Sequence, residues 1–335
     1  MKKVFGVLLV GASLALTACT SDKEEPEKAD QVSAQAEDEQ QETSNENTYG
    51  VDEKKLDELM TQFPETEADR IITTSVPLAE MLNLLDITPV GVPTSTNPLP
   101  KEFESIDQIG SPMAPDLEVI TSLQPDLLLG AKSLQSSLDE SLKGMNLQTA
   151  YLPTDSFDDL KTSFSALGTY FNKEQEMNAV LDKLQKKEEE LKEKGAGKEL
   201  KEKGAGKELP SVMLMIGTAD SFMVMNEKSY IGSLIDKLGA ENIATTILQA
   251  KDTYSALNLE DVVAADPDLI LVLASGDHGA SEDMFKKEVE KNETWKRLSA
   301  YQNDNIHILD YEVFGVTSIQ NAERALTDIA TYFYE

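Results

Sequence analysis

Apolar positions along this chain follow two periods. Short runs bounded by turn residues read as strands: Arg70-Ile-Ile-Thr-Thr74, Pro89-Val-Gly-Val92, Ile106 to Ile109, Leu127 to Leu129, Ser211 to Ile216, Ser221 to Met225, Leu269 to Leu273 and Ile306 to Leu309. Between them, apolar residues recur at three and four. Leu78, Met81, Leu82 and Leu85 share one face of a helix that starts at Val76, with Ser75 as N-cap and Pro77 in the first turn. Asp116 caps another helix, and further helices are predicted over 229–238, 259–265, 282–300 and 321–334. The longest periodic stretch is 173–194, where Met177, Val180, Leu181, Leu184 and Leu191 face one way and Lys and Glu the other. At 1.5 Å per residue it spans about 33 Å.

Strands alternating with helices predict an α/β fold with mostly parallel sheets. Two segments repeat one plan. Leu117-Glu leads after a fixed interval to Pro125-Asp-Leu and a strand, and Leu259-Glu leads likewise to Pro267-Asp-Leu. The chain therefore reads as two lobes, 51–172 and 210–335, joined by a long helix within 173–209. In that connection Lys192 to Leu200 is copied at once as Lys201 to Leu209, and the Gly-Ala-Gly of each copy weakens a continuing helix.

Ahead of the lobes the pattern changes. Lys2 and Lys3 precede the apolar run Val4 to Leu16, an export signal over 1–19 that is short for a membrane span. Leu16-Thr-Ala-Cys19 resembles the lipobox of bacterial lipoproteins, in which the cysteine is lipidated (palmitate among its acyl chains). Residues 20–50 are polar and acidic and read as a disordered tether. The net charge of −31, from 30 Lys and Arg against 61 Asp and Glu, argues against nucleic-acid partners. With Cys19 the one cysteine, no disulfide framework exists, and no Gly-x-Ser-x-Gly elbow points to a hydrolase.

Open α/β sheets bind ligands beyond the carboxyl ends of their strands. Met113 follows the strand ending at Ile109, and His278 follows the strand ending near Leu273, so each stands at the ligand-facing edge of its lobe. A loop methionine is ordinarily packing, and a loop histidine is ordinarily solvated. Together they form a soft, neutral pair that suits haem iron and is poor for zinc or calcium. His307, inside a strand, reads as structural.

These residues carry a resemblance. Ile109-Gly-Ser-Pro-Met-Ala-Pro-Asp-Leu-Glu118, Lys228-Ser-Tyr-Ile-Gly-Ser-Leu234, Gly239-Ala-Glu-Asn-Ile243, His278-Gly with Met284-Phe-Lys-Lys-Glu288, and Asp310 to Thr317 resemble the solute-binding lipoproteins of iron-complex ABC importers. Within that class they are similar to the haem receptors of the iron-regulated surface determinant (Isd) system of Gram-positive bacteria. The resemblance implies a class III periplasmic-binding-protein fold, no enzymatic activity, and haem b as transported ligand, its iron held by Met113 and His278. It implies an ABC permease with its ATPase and upstream cell-wall haem-transfer proteins as partners. It also implies attachment through Cys19 to the extracytoplasmic face of the cell membrane. Ligand propionates would meet the helix N-terminus at Ser75 and Val76 and the loop Thr94, Ser95 and Thr96. Glu80 and Asp236 would dock the permease, as acidic residues near these positions do in related importers. A siderophore or corrinoid receptor is the alternative within transport.

Overall fold

The computed structural model describes residues 49–195, 209–217, 221–273 and 280–334. The predicted export signal, Cys19, all but the end of the 20–50 tether, most of the 192–209 duplication and His278 lie outside them.

The first lobe opens with α1 (Glu53–Met60). It continues through β1 (Ile71–Thr73), α2 (Val76–Leu84), β2 (Gly110–Ser111), β3 (Ala114–Pro115), α3 (Leu117–Leu123), β4 (Leu127–Ala131), α4 (Gln135–Ser141), β5 (Gln148–Leu152) and α5 (Phe157–Tyr170). Its sheet runs β1-β4-β5, all parallel, with Ile71 beside Leu127 and Leu127 beside Gln148. The strands predicted at 89–92 and 106–109 are not ladders. They join the sheet edge through single parallel bridges, Ile72 to Gly91 and Val92 to Gln108. The reason is local. Pro89 and Pro93 flank the segment and cannot donate, and Gly91 is wedged so tightly that a Cβ would meet Ile109 Cγ2 at 2.6 Å and Leu123 Cδ1 at 2.9 Å.

The long helix, α6 (Glu174–Gly195), buries Leu181, Leu184 and Leu191 as its pattern predicts. The second lobe holds β6 (Ser211–Gly217), β7 (Phe222–Met225), α7 (Tyr230–Lys237), β8 (Glu241–Asn242), α8 (Ile243–Thr246), β9 (Tyr254–Ala256), α9 (Leu259–Ala265) and β10 (Leu269–Leu273). It then runs through α10 (Ala280–Lys291), α11 (Ser299–Gln302), β11 (Ile306–Leu309), α12 (Tyr311–Phe314) and α13 (Ala322–Tyr334). Its sheet order is β11-β10-β6-β7-β9, with β8 also on β6. β10 lies parallel to β11 and β6, whereas β7 and β9 pair antiparallel, so this sheet is mixed. The helix predicted over 282–300 stops at Lys291. The Asn292 side chain accepts from Thr294 N (3.1 Å), an Asx turn that competes with helix. Trp295 then sits buried, edge-on to Phe285 at 5.4 Å.

The repeated plan has a common geometry. Asp116 and Asn258 cap α3 and α9, and both helices end on a left-handed residue, Gln124 (φ 47°) and Asp266 (φ 43°). The aspartate of each Pro-Asp-Leu then ties the turn to the start of the lobe's first strand. Asp126 accepts from Asp69 N and Arg70 N (3.0 and 2.9 Å), and Asp268 accepts from Ser211 N and Oγ (3.0 and 2.8 Å). The Asp69–Asp126 and Ser211–Asp268 bonds span 57 residues in both lobes. One apolar cluster joins the lobes: Leu78 and Leu82 of α2, Phe164 of α5, Leu181 of α6, Leu234 of α7 and Leu326 of α13 belong to it.

Candidate functional site

The carboxyl ends of the first lobe's strands gather three of the predicted site segments on one edge. β1 leads to Ser75 and α2, Val92 leads to Thr94–Thr96, and Gln108 leads to the hairpin β2–β3. In that hairpin Gly110 faces Pro115 and Ser111 faces Ala114, leaving Pro112 and Met113 at the tip. The turn is stiff. Gly110 takes φ +89°, where a Cβ would meet Asp116 N at 2.8 Å; Ala114 N donates to Ser111 Oγ at 3.2 Å, and Asp116 N to Ile109 O at 2.7 Å. Met113 is 61% exposed. A packing methionine would be covered, and this one is held out by a rigid hairpin. Thr94 N donates to Gly110 O (2.8 Å), and Thr94 Oγ1 to Gln108 Oε1 (3.0 Å). These bonds fix the Thr94–Thr96 loop to the same rim. Ser95 Oγ accepts from Asn97 N at 3.0 Å, shaping the loop.

Ser75 occupies the N-cap of α2 in extended conformation but makes no side-chain capping bond. It is buried, and its N–H goes to Thr73 Oγ1 at 3.2 Å. The first turn, in which Pro77 has no N–H, therefore receives no side-chain acceptor from its cap. Val76 and Thr96 line one cavity of about 640 Å³ between the lobes, within the range of ligand sites. Met113 is outside that cavity's lining.

The opposite wall comes from α12 and the start of α13, and sequence reasoning missed it. Tyr311, Asn321 and Arg324 lie there. Arg324 is the basic side chain that the sequence did not place; its Nη2 is 3.0 Å from Asp310 Oδ2 and its Nε 3.6 Å from Asp328 Oδ2. The segment Asp310 to Thr317 pointed toward this wall, and the helix beyond it was predicted over 321–334, but its apolar period did not show that Arg324 faces a cavity.

Glu80 requires a correction. It is 9% exposed and lines the interlobe cavity, so it is not an outward docking carboxylate. Ser318 Oγ of the second lobe donates to Glu80 Oε2 at 2.7 Å and accepts from Asn321 N at 3.0 Å. Burial pushes the Glu80 carboxyl up to about 7, and the Ser318 bond opposes that only in part. Tyr230 OH donates to Ser318 O at 2.9 Å; burial, and then the neighbouring Glu80, push its phenol up. Asp236 is exposed near the end of α7. Among the described residues no three His, Cys, Asp or Glu side chains form a metal cluster, and no helix is long and apolar enough to cross a membrane.

A two-lobed α/β body bridged by one helix, with an open cavity between the lobes, defines a solute-binding protein. The model of the periplasmic binding protein family matches residues 71–313, and the chain belongs to that family. It is the substrate-binding component of an ABC importer and not an enzyme. It is 31% identical over 270 residues to High-affinity heme uptake system protein IsdE of Staphylococcus aureus strain MRSA252, covering 79% of this chain and 87% of that one. An ABC transporter substrate-binding protein from Listeria monocytogenes EGD-e superposes with a TM-score of 0.70 at 32% identity, covering 80% of this chain and 99% of that one. S. aureus IsdE complexed with heme gives 0.70 at 30%, covering 79% and 99%.

Proposed function

We propose that this protein captures haem b between its lobes and hands it to an ABC permease for iron acquisition. The observation that carries this reading is Met113, a thioether held exposed at the tip of a rigid hairpin on the ligand-facing edge. A soft, neutral sulfur so placed suits haem iron. His278, outside the described residues, is the partner ligand in this reading, reached from the carboxyl end of β10. The likeness to IsdE supports it. In this reading the α2 terminus at Ser75 and Val76, with Thr94 to Thr96, faces the haem propionates.

In the same reading Cys19 carries the lipid anchor on the outer face of the cell membrane, cell-wall transfer proteins supply the haem, and the permease and its ATPase take it on. Asp236 serves as a docking carboxylate on the second lobe; Glu80 does not.

Haem added to the apo protein should give a shifted Soret band. Met113→Ala and His278→Ala should each move that band and weaken binding. Absence of a Soret shift with wild type, or a spectrum unchanged in both variants, would sink the haem reading and leave an iron-chelating siderophore or a corrinoid as the cargo.

A further inference from the structure

The interlobe cavity is bounded by opposite structural devices that could address one kind of chemical group. On one side α2, nine residues long, begins with amides that its cap leaves without a side-chain acceptor. On the other stands Arg324, the one basic side chain among the described residues that line the cavity. Its contacts are to Asp310 and Asp328, whose side chains are 47% and 37% exposed, and the Arg324 side chain is 58% exposed. Such solvated pairs are worth little and exchange readily. They also leave most of the five guanidinium N–H donors for another acceptor. Between these walls the Glu80 carboxyl is buried and held by Ser318. Burial keeps it largely protonated below about pH 7, so it adds little negative charge to the cavity there.

We propose that Arg324 is a specificity-determining residue that binds a carboxylate of the transported ligand. The inference rests on the haem reading, in which that group is a porphyrin propionate. A planar guanidinium matches a carboxylate bidentately, which a lysine would not. In a chain of net charge −31, an anionic ligand needs such a local cation to enter. The cavity thus selects for acidic porphyrins over neutral ones of the same shape.

The test compares haem with haem dimethyl ester, whose esterified propionates carry no charge, both titrated into the full-length apo protein and read at the Soret band. Arg324→Gln should weaken haem about tenfold while leaving the ester within about twofold of its wild-type affinity. Arg324→Lys should keep part of the preference for haem. Equal loss for both porphyrins, or loss for neither, would overturn the role of Arg324 and leave haem capture standing. If wild type binds neither porphyrin, the haem reading itself falls and takes this inference with it. Should Arg324→Gln fold poorly, wild type carries the test: raising ionic strength should weaken haem and spare the ester, and equal sensitivity overturns the proposal.

Discussion

Glu80 couples the solvent's pH to the contact between the lobes. Its carboxyl rises from an ordinary 4.5 to about 7 because burial disfavours the charge. The folded protein therefore holds a proton there that the unfolded chain has released, across the interval from about 4.5 to about 7. Stability contributed by this group is full below that interval and declines as pH rises through it. Ser318 and Tyr230 stand against this carboxyl, and the charged side chains lining the two cavities it borders are Glu312, Arg324, Lys101 and Glu102. Glu80→Gln keeps an amide for the Ser318 contact and removes the titration. Unfolding free energies from urea titrations at pH 5 and pH 8 should differ in wild type, by no more than on the order of 3 kcal/mol, and should converge in the variant. Gly91→Ala tests the opposite kind of constraint. A Cβ there lies inside the contact distance of Ile109 and Leu123, and overpacking of this kind costs about 1–3 kcal/mol; a midpoint matching wild type would contradict the wedge. The loop position of Met113 was legible in the sequence because prolines fence it past the segment ending at Ile109. The burial of Glu80 was not, because the hydroxyl that holds it is 238 residues away in the chain and nothing local distinguishes it from a solvated helix face.

At the scale of elements, α5 and α6 are fastened by a buried cation. Lys161 Nζ lies 3.1 Å from Asp158, 3.4 Å from Glu188 and 3.0 Å from Tyr49 O, over the Phe157 ring at 4.8 Å. Lys161→Ala strands Glu188, itself 8% exposed, and should cost about 3–5 kcal/mol of unfolding free energy. Lys161→Met combined with Glu188→Leu should cost less than that single change. A double variant as unstable as Lys161→Ala would refute the account. The helices were legible wherever one apolar stripe settles both burial and period, as with Leu181, Leu184 and Leu191 on α6. The paired Pro-Asp-Leu turns were legible for another reason: the left-handed residue, the proline and the aspartate are all local. Strand direction was not. Phe222–Met225 and Tyr254–Ala256 pair antiparallel in a sheet otherwise built parallel, and an alternating pattern carries no arrow. Nor was the break at Lys291, where the Asn292 side chain turns the backbone before the apolar period has run out.

The whole molecule is held by a core that ignores the boundary between lobes. Leu82 of the first lobe and Leu326 of the second lie in one cluster with Leu181 of the bridge, and Phe157 N donates to Ser233 Oγ across the junction at 2.9 Å. Large rotation would open that cluster to water at about 25 cal/mol per Å² of apolar area, which opposes wide lobe motion on binding. Amide exchange should find α6 protected with and without ligand, and its wholesale deprotection in the apo form would contradict a shared core. The shared cluster has a further consequence for dissection. A gene cut at the bridge would release two fragments, each with half of the common apolar face uncovered. The pieces would be recovered together, reassembling on that face when co-expressed, rather than as two independently soluble proteins.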